Sequence, residues 1–316
     1  MGMSNYTNFL NGVTIRGIPI LQLHPGKIFW VNNSGVLPEG GVGGSDGNKG
    51  TYLQPWSTID YAIGRCTANR GDIILVMPGH TETITAADAI LLDIAGVALV
   101  GVGNGLKMAE VEFNHADATI GVSANNVSIV NMRLNSTITA VTVGINVKAD
   151  VSGVTITRCL FDVDTAGTDE FNHSIRLVDG NTRCVIEENV IDMGIAGAVA
   201  GIHLDADTAF TIIRKNIIRG DFSTANIAGD TTLSTNILIE DNLLENGIGG
   251  NINTEPGIEL LTGSTGTIRR NDIVCNLATK AASIVADTCL LFENYYNEDI
   301  SSSATGGIIG TASADD

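Results

Sequence analysis

The chain is 316 residues long, 44% hydrophobic and only 16% charged, with 17 Lys and Arg against 35 Asp and Glu and a formal charge of −18. That balance excludes nucleic acid and an anionic membrane surface as partners, because both require a basic face, and no run of about 18 apolar residues offers a membrane span. Cys66, Cys159, Cys184, Cys275 and Cys289 are scattered without a C-x-x-C pair, which argues for reduced, buried thiols and against a zinc knuckle or a disulfide framework.

Residues 1–26 read as a leader. They lack a basic start, an apolar stretch and a small-residue cleavage site, so no signal peptide is expected and assembly takes place in a cytoplasm. Within the leader, Asn8–Leu21 reads NFLNGVTIRGIPIL. Next come GKIFWVNN from Gly26, a glycine-rich loop with Ser45-Asp46-Gly47, and Pro55-Trp56-Ser57-Thr58-Ile59. The stretch Ser57–Ala68 has helical spacing that puts Ile59, Ala62 and Ile63 on one face, which suits a short helix plugging one end of a stacked core. Gly71-Asp72-Ile73-Ile74-Leu75-Val76 then predicts a buried strand, closed by Pro78-Gly79.

From Val127 the chain repeats itself. The segments VSIVNMRL (Val127–Leu134), VTITRCLF (Val154–Phe161), CVIEENVI (Cys184–Ile191), TIIRKNII (Thr211–Ile218), ILIEDNLL (Ile237–Leu244), GTIRRNDI (Gly266–Ile273) and CLLFENYY (Cys289–Tyr296) align on their sixth residue. That column reads Met132, Cys159, Asn189, Asn216, Asn242, Asn271, Asn294, at intervals of 27, 30, 27, 26, 29 and 23 residues. Such a period fits one coil of a three-strand β solenoid. Positions one, three, six and eight are nearly all apolar or the column itself, so two strands per segment turn those side chains inward, with a bend at the column. Asparagine tolerates the left-handed backbone that a bend demands, and asparagines stacked at about 4.8 Å can hydrogen-bond as an internal ladder.

A third strand per coil precedes each segment. The candidates are Val143–Val147, Ser174–Val178, Gly201–Asp205, Thr231–Thr235, Gly257–Leu261 and Ala282–Ala286, with Ile175, Leu177, Ile202, Leu204, Ile258 and Leu260 inside.

The motifs of Gly26–His80 resemble the opening of the pectate-lyase-like right-handed β-helix proteins: a strand ending in Val31-Asn32, the Ser45-Asp46-Gly47 loop, the Pro55–Ile59 helix start and the Gly71–Val76 strand with Pro78-Gly79. The resemblance implies an all-β fold, a right-handed single-stranded parallel β-helix over 27–300 with three-strand coils, an internal asparagine ladder and a short N-terminal capping helix. Residues 1–26 would then serve attachment or oligomer contact, and 301–316 form a small, polar, acidic tail. The superfamily spans many functions, so this likeness carries fold and not chemistry. The leader resembles those of β-helix proteins encoded among tailed-bacteriophage structural genes. That implies a location in the virion as a capsid decoration, fibre or tailspike component, a homotrimer, with capsid or tail proteins and host surface glycan as partners.

Outward positions of the third strands read Asn146, Arg176, His203, Thr232 and Glu259 in successive coils. His203 flanked by Arg176, Asp205 and Glu259 could supply acid–base chemistry to a sugar-cleaving site; the plainer reading is a solvated face of mixed charge. Trp30 and Trp56 both precede the coils, so no tryptophan platform serves that face. Asp162, Asp164 and Asp169, with Glu170, admit a calcium reading, weighed against a solvated insertion loop. Glu187, Glu188, Glu240 and Asp241 should point outward and confer solubility, and His80 should be a satisfied turn residue. No dinucleotide, P-loop, nucleophile-elbow or zinc-protease motif occurs, and no cofactor is expected. The sequence therefore points to a non-enzymatic virion protein of a tailed bacteriophage. The alternative is a tailspike-type polysaccharide lyase or glycoside hydrolase acting on bacterial surface glycan, and a carbohydrate-binding module without turnover is a third reading.

Overall fold

In the computed structural model the period-two alternation within each repeat segment turns alternate side chains inward, and stacking the segments produces a right-handed parallel β solenoid of about eight turns. Residues 13–15, 18–20, 25–35, 37–163, 169–194, 197–229, 231–247, 255–275, 280–297 and 307–309 are described. The first sheet holds ten parallel strands, from Ile28–Val31 to Leu290–Phe292. The second runs from Thr81–Ile84 to Asn294–Asn297, where Gly307–Ile309 adds an antiparallel edge. The third holds eight parallel strands, from Ile90–Leu92 to Ile284–Val285. Between the sheets lies one continuous core of Ile, Leu, Val and Phe, each buried aliphatic contributing about 1.5–3 kcal/mol.

The helix α1 spans Ile59–Ile63, shorter than the expected Ser57–Ala68, and buries the three expected residues Ile59, Ala62 and Ile63. It ends early because the chain after Gly64 is drawn toward Asp72, whose carboxylate accepts from Thr67 N at 2.7 Å, Lys27 N at 2.6 Å and the Arg70 guanidinium. Before the helix, Asp46 gathers Ser57 and Thr58 through backbone and hydroxyl donors. Burial alone would raise the Asp46 pKa, but these hydrogen bonds outweigh it and hold the carboxyl below its ordinary value. His80 is a satisfied turn residue: it is fully buried, its Nδ1 accepts from Asn33 N at 3.1 Å, and its Nε2 lies 3.2 Å from Glu82 Oε2. Glu82 in turn accepts from Ile59 N at 2.9 Å.

The asparagine column is a ladder. Each Nδ2 donates to Oδ1 of the next member: Asn189 to Asn216 at 3.0 Å, Asn216 to Asn242 at 3.0 Å, Asn242 to Asn271 at 2.9 Å and Asn271 to Asn294 at 2.9 Å. The same Oδ1 also accepts the previous member's backbone N–H. The second amide proton goes back to a carbonyl of the preceding coil, that of Ile156, Ile186, Ile213, Ile239 or Ile268. Both amide protons and the carbonyl are therefore matched in a dry interior, which is the condition for a buried polar group to stabilise.

Two expectations need correction. The left-handed residue is not the asparagine but its predecessor: Asn131, Arg158, Glu188, Lys215, Asp241, Arg270 and Glu293 all have φ between 50 and 57°. The bend thus comes one residue earlier, at a side chain that from Arg158 onward reaches solvent, and the asparagine is placed by its amide. The third-sheet strand of the fifth repeat is Ala225–Gly229, not Thr231–Thr235. Threonine's β propensity favours the latter stretch, but burial selects Asn226 and Ile227, while Ser234–Thr235 pairs with Thr208–Ala209 at a corner.

The exterior of the asparagine corner is also organised. Glu187, Arg214, Glu240 and Arg269 stand in register on successive first-sheet strands, with Arg214 Nε 2.7 Å from Glu187 and Arg269 Nε 2.8 Å from Glu240. The left-handed row beside it alternates in the same way, and Arg270 Nε reaches Asp241 at 2.7 Å. The expected solubilising carboxylates are thus partners of arginines one coil away. Each such pair is worth only about 0–1 kcal/mol, but alternation of sign penalises a slip by one coil.

Asn216→Ala orphans the Asn189 donors and breaks the ladder at its centre. At about 1–3 kcal/mol per unsatisfied buried group we expect a loss of about 3 kcal/mol or more in urea unfolding. Lys215→Ala, one residue away on the outside, should stay within about 0.5 kcal/mol of the parent.

Candidate functional site

The outer face of the third sheet collects the residues that the sequence singles out. Asn146, Arg176, His203, Ala228 and Glu259 are in register on consecutive strands. Ala228 holds the place expected for Thr232, a consequence of the strand assignment corrected above. Arg176 and His203 are therefore neighbours, as expected. Glu259 stands two coils from His203, about 10 Å along the axis at about 4.8 Å per coil.

Asp205 organises the first two. Its Oδ2 accepts from Arg176 Nε at 3.1 Å and also from Arg176 Nη2, while its Oδ1 lies 3.8 Å from His203 Nδ1. The guanidinium thus spends two donors on one carboxylate. A second histidine, not singled out in the sequence, completes the group: the His173 ring stacks on His203 with centroids 4.6 Å apart and planes 17° apart. His173 escapes a sequence reading because the strand begins at Phe171, three residues before the expected Ser174. On the same side of the sheet Ala200, Ala225 and Ala228 form a fully buried alanine patch.

Burial, and then the neighbouring His203, push the His173 imidazole down to about 4, only partly opposed by its contact with the Thr142 carbonyl. Stacked rings of which one resists protonation, beside a closed Arg–Asp pair, order the surface.

Of the metal candidates, Asp162 accepts from Arg133 Nη2 at 2.9 Å, Asp164 lies outside the described residues, and Asp169 adjoins Glu170, whose pKa is raised by burial and then by Asp169. Among the described residues no three His, Cys, Asp or Glu side chains converge as a metal site. The thiols of Cys159 and Cys66 are pushed up to about 12 by burial, so they remain protonated.

The fold is similar to that in the crystal structure of pectate lyase Pel9A, with a TM-score of 0.53, 14% identity, and coverage of 86% of this chain and 74% of that one. At that identity the likeness is one of fold. A GH136 lacto-N-biosidase from Eubacterium ramulus aligns at a TM-score of 0.38 and 11% identity, over 84% of this chain and 68% of that one. No curated protein matches the sequence. Residues 42–291 match the model of a family described as a protein of unknown function, DUF1565.

The depressed His173 pKa has a signed consequence. The unfolded chain, with an ordinary value near 6.5, binds the proton that the folded chain refuses. The contribution to stability is therefore complete above about pH 6.5 and is lost progressively as pH falls toward about 4. Melting temperature should drop across that window, and His173→Asn should flatten the slope relative to the parent in scanning calorimetry.

Proposed function

Because the chain belongs to the DUF1565 family, whose description carries no activity, its role has to be read from its own residues, and we propose that it is a structural virion protein of a tailed bacteriophage. In this reading it is a capsid decoration, fibre or spike component, assembled as a side-by-side trimer and without catalytic activity. The observation that carries the reading is how its outward charges are used. The arginines at 176, 214, 269 and 270 each close on a carboxylate, and most of these pairs join neighbouring coils. Such a surface favours a stiff rod whose register holds under load. The phage-like leader around Asn8–Leu21 supports the same reading.

A second reading rests on a specific observation. The fold is similar to that of a pectate lyase, and His203 lies beside Asp205 on an outer sheet face, so cleavage of a bacterial surface glycan is the competing function.

Size, particle composition and turnover test the two readings. Light scattering of the purified chain should give three times its 33.0 kDa mass, and mass spectrometry of purified particles should find it beside capsid or tail proteins. In parallel, reducing-sugar and unsaturated-product assays on host capsule should show no turnover. Activity that disappears in Arg176→Ala, His203→Ala or Glu259→Ala would replace the structural reading with the enzymatic one, and a monomeric mass would remove the trimer.

A further inference from the structure

The outer face of the second sheet carries, over its first coils, a cluster apart from the candidate site. One outward column runs Glu110, Arg133, Leu160; the column two residues further along runs Thr83, Glu112, Asn135, Asp162. Arg133 lies at the centre, donating from Nη1 to Glu110 at 3.4 Å and from Nη2 to Asp162 at 2.9 Å. Thr83 Oγ1 donates to Glu112 at 2.8 Å. Burial raises the Glu110 pKa; Arg133 opposes the shift and Glu112 adds to it. Asn135 is 8% exposed, lies in register between Glu112 and Asp162, and hydrogen-bonds the Glu110 carboxyl.

Two buried polar atoms in this cluster have no hydrogen-bond partner, Asn135 Oδ1 and Arg133 Nε. Orphaned buried groups are costly, and two of those among the described residues fall on neighbouring outward positions of one strand here. One is an acceptor and the other a donor, two residues apart on the same face of one strand. A single group that answers both must accept from Arg133 and donate to Asn135. A hydroxyl does this, as a water molecule also would, whereas an ammonium group or a metal ion cannot accept and a carboxylate cannot donate. The rim adds further acceptors in Glu112 and Asp162, and three carboxylates against one guanidinium repel uronic acids and phosphorylated sugars.

We propose that this face binds a neutral saccharide, with one hydroxyl lodged between Arg133 Nε and Asn135 Oδ1 and its neighbours donating to Glu112 and Asp162. The site does not depend on the virion assignment, since a decoration protein, a fibre or an enzyme could each carry it.

The test is a printed array of neutral and uronic-acid-containing oligosaccharides probed with the labelled full chain, followed by titration calorimetry on the best neutral binder. Neutral oligosaccharides should bind, with uronic-acid counterparts about tenfold weaker or worse. Asn135→Leu should lower affinity by about tenfold or more; it also removes the amide donor to the Glu110 carboxyl, so its melting temperature is measured alongside. Glu112→Gln should weaken binding to a lesser degree, and it carries the test if Asn135→Leu does not fold. Glu188→Gln, on the asparagine corner, should bind like the parent. The proposal is overturned if no neutral oligosaccharide on the array binds, if uronic acids are preferred, or if Asn135→Leu and Glu112→Gln both bind as the parent does. It is equally overturned if crystals soaked in the best binder show only an ordered water between Arg133 and Asn135.

Discussion

A primary amide offers two donors and one acceptor with two lone pairs, and in this chain the distance between coils lets that inventory close on itself. Within the column, Asn216, Asn242 and Asn271 each give one proton up the stack and one down, while the oxygen takes two. The constraint is strict, because aspartate would put like charges one coil apart and leucine would leave the bending backbone N–H groups without acceptors. From Asn189 onward the stacking of the coils leans on that file. It holds the corner between the first and second sheets at a constant spacing, so the aliphatic rows of three sheets superimpose and parallel strands pair without slipping. At its N-terminal end the file yields to Cys159, whose backbone N–H still donates to Asn189 Oδ1 at 2.9 Å, and then to Met132, where packing alone suffices.

The file was legible in the sequence because it is a side-chain requirement that recurs at the coil period, and so was the inward set at positions one, three, six and eight. What was not legible is instructive. The left-handed residue is chosen by backbone geometry and tolerates Arg, Glu, Lys and Asp alike, so its row has no residue signature and only its place before the asparagine betrays it. Ala225–Gly229 has weak β propensity, yet it forms the strand because Asn226 and Ile227 meet the core at the right height; tertiary burial overrode local preference there. His173 was missed because the strand starts earlier than its alternating part.

The candidate site was half legible for the same reason. Arg176, His203 and Glu259 fall on one face because parallel register fixes them there. Asp205 lies at the end of its strand, and only coordinates show that it takes the Arg176 guanidinium for itself. The shared face was legible from register, whereas the Arg176–Asp205 pairing was not, because it joins the end of one strand to the middle of its neighbour.

Alternation of charge separates the two kinds of surface on this solenoid. In the later coils of the second sheet Arg219 lies between Asp192 at 3.5 Å and Glu245 at 3.7 Å, the same plus-between-minus order as the ladders at the asparagine corner. In the earlier coils the corresponding column reads Glu112, Asn135, Asp162, with a neutral amide where the alternating rule would put a cation. The single guanidinium nearby must serve from the next column while one of its nitrogens stays unanswered. Sequences that specify a fold agree with themselves at every level, and local departures concentrate where something other than folding is being selected. Against the alternating rows around Arg214, Arg269 and Arg270, that departure marks the face on which we place the saccharide.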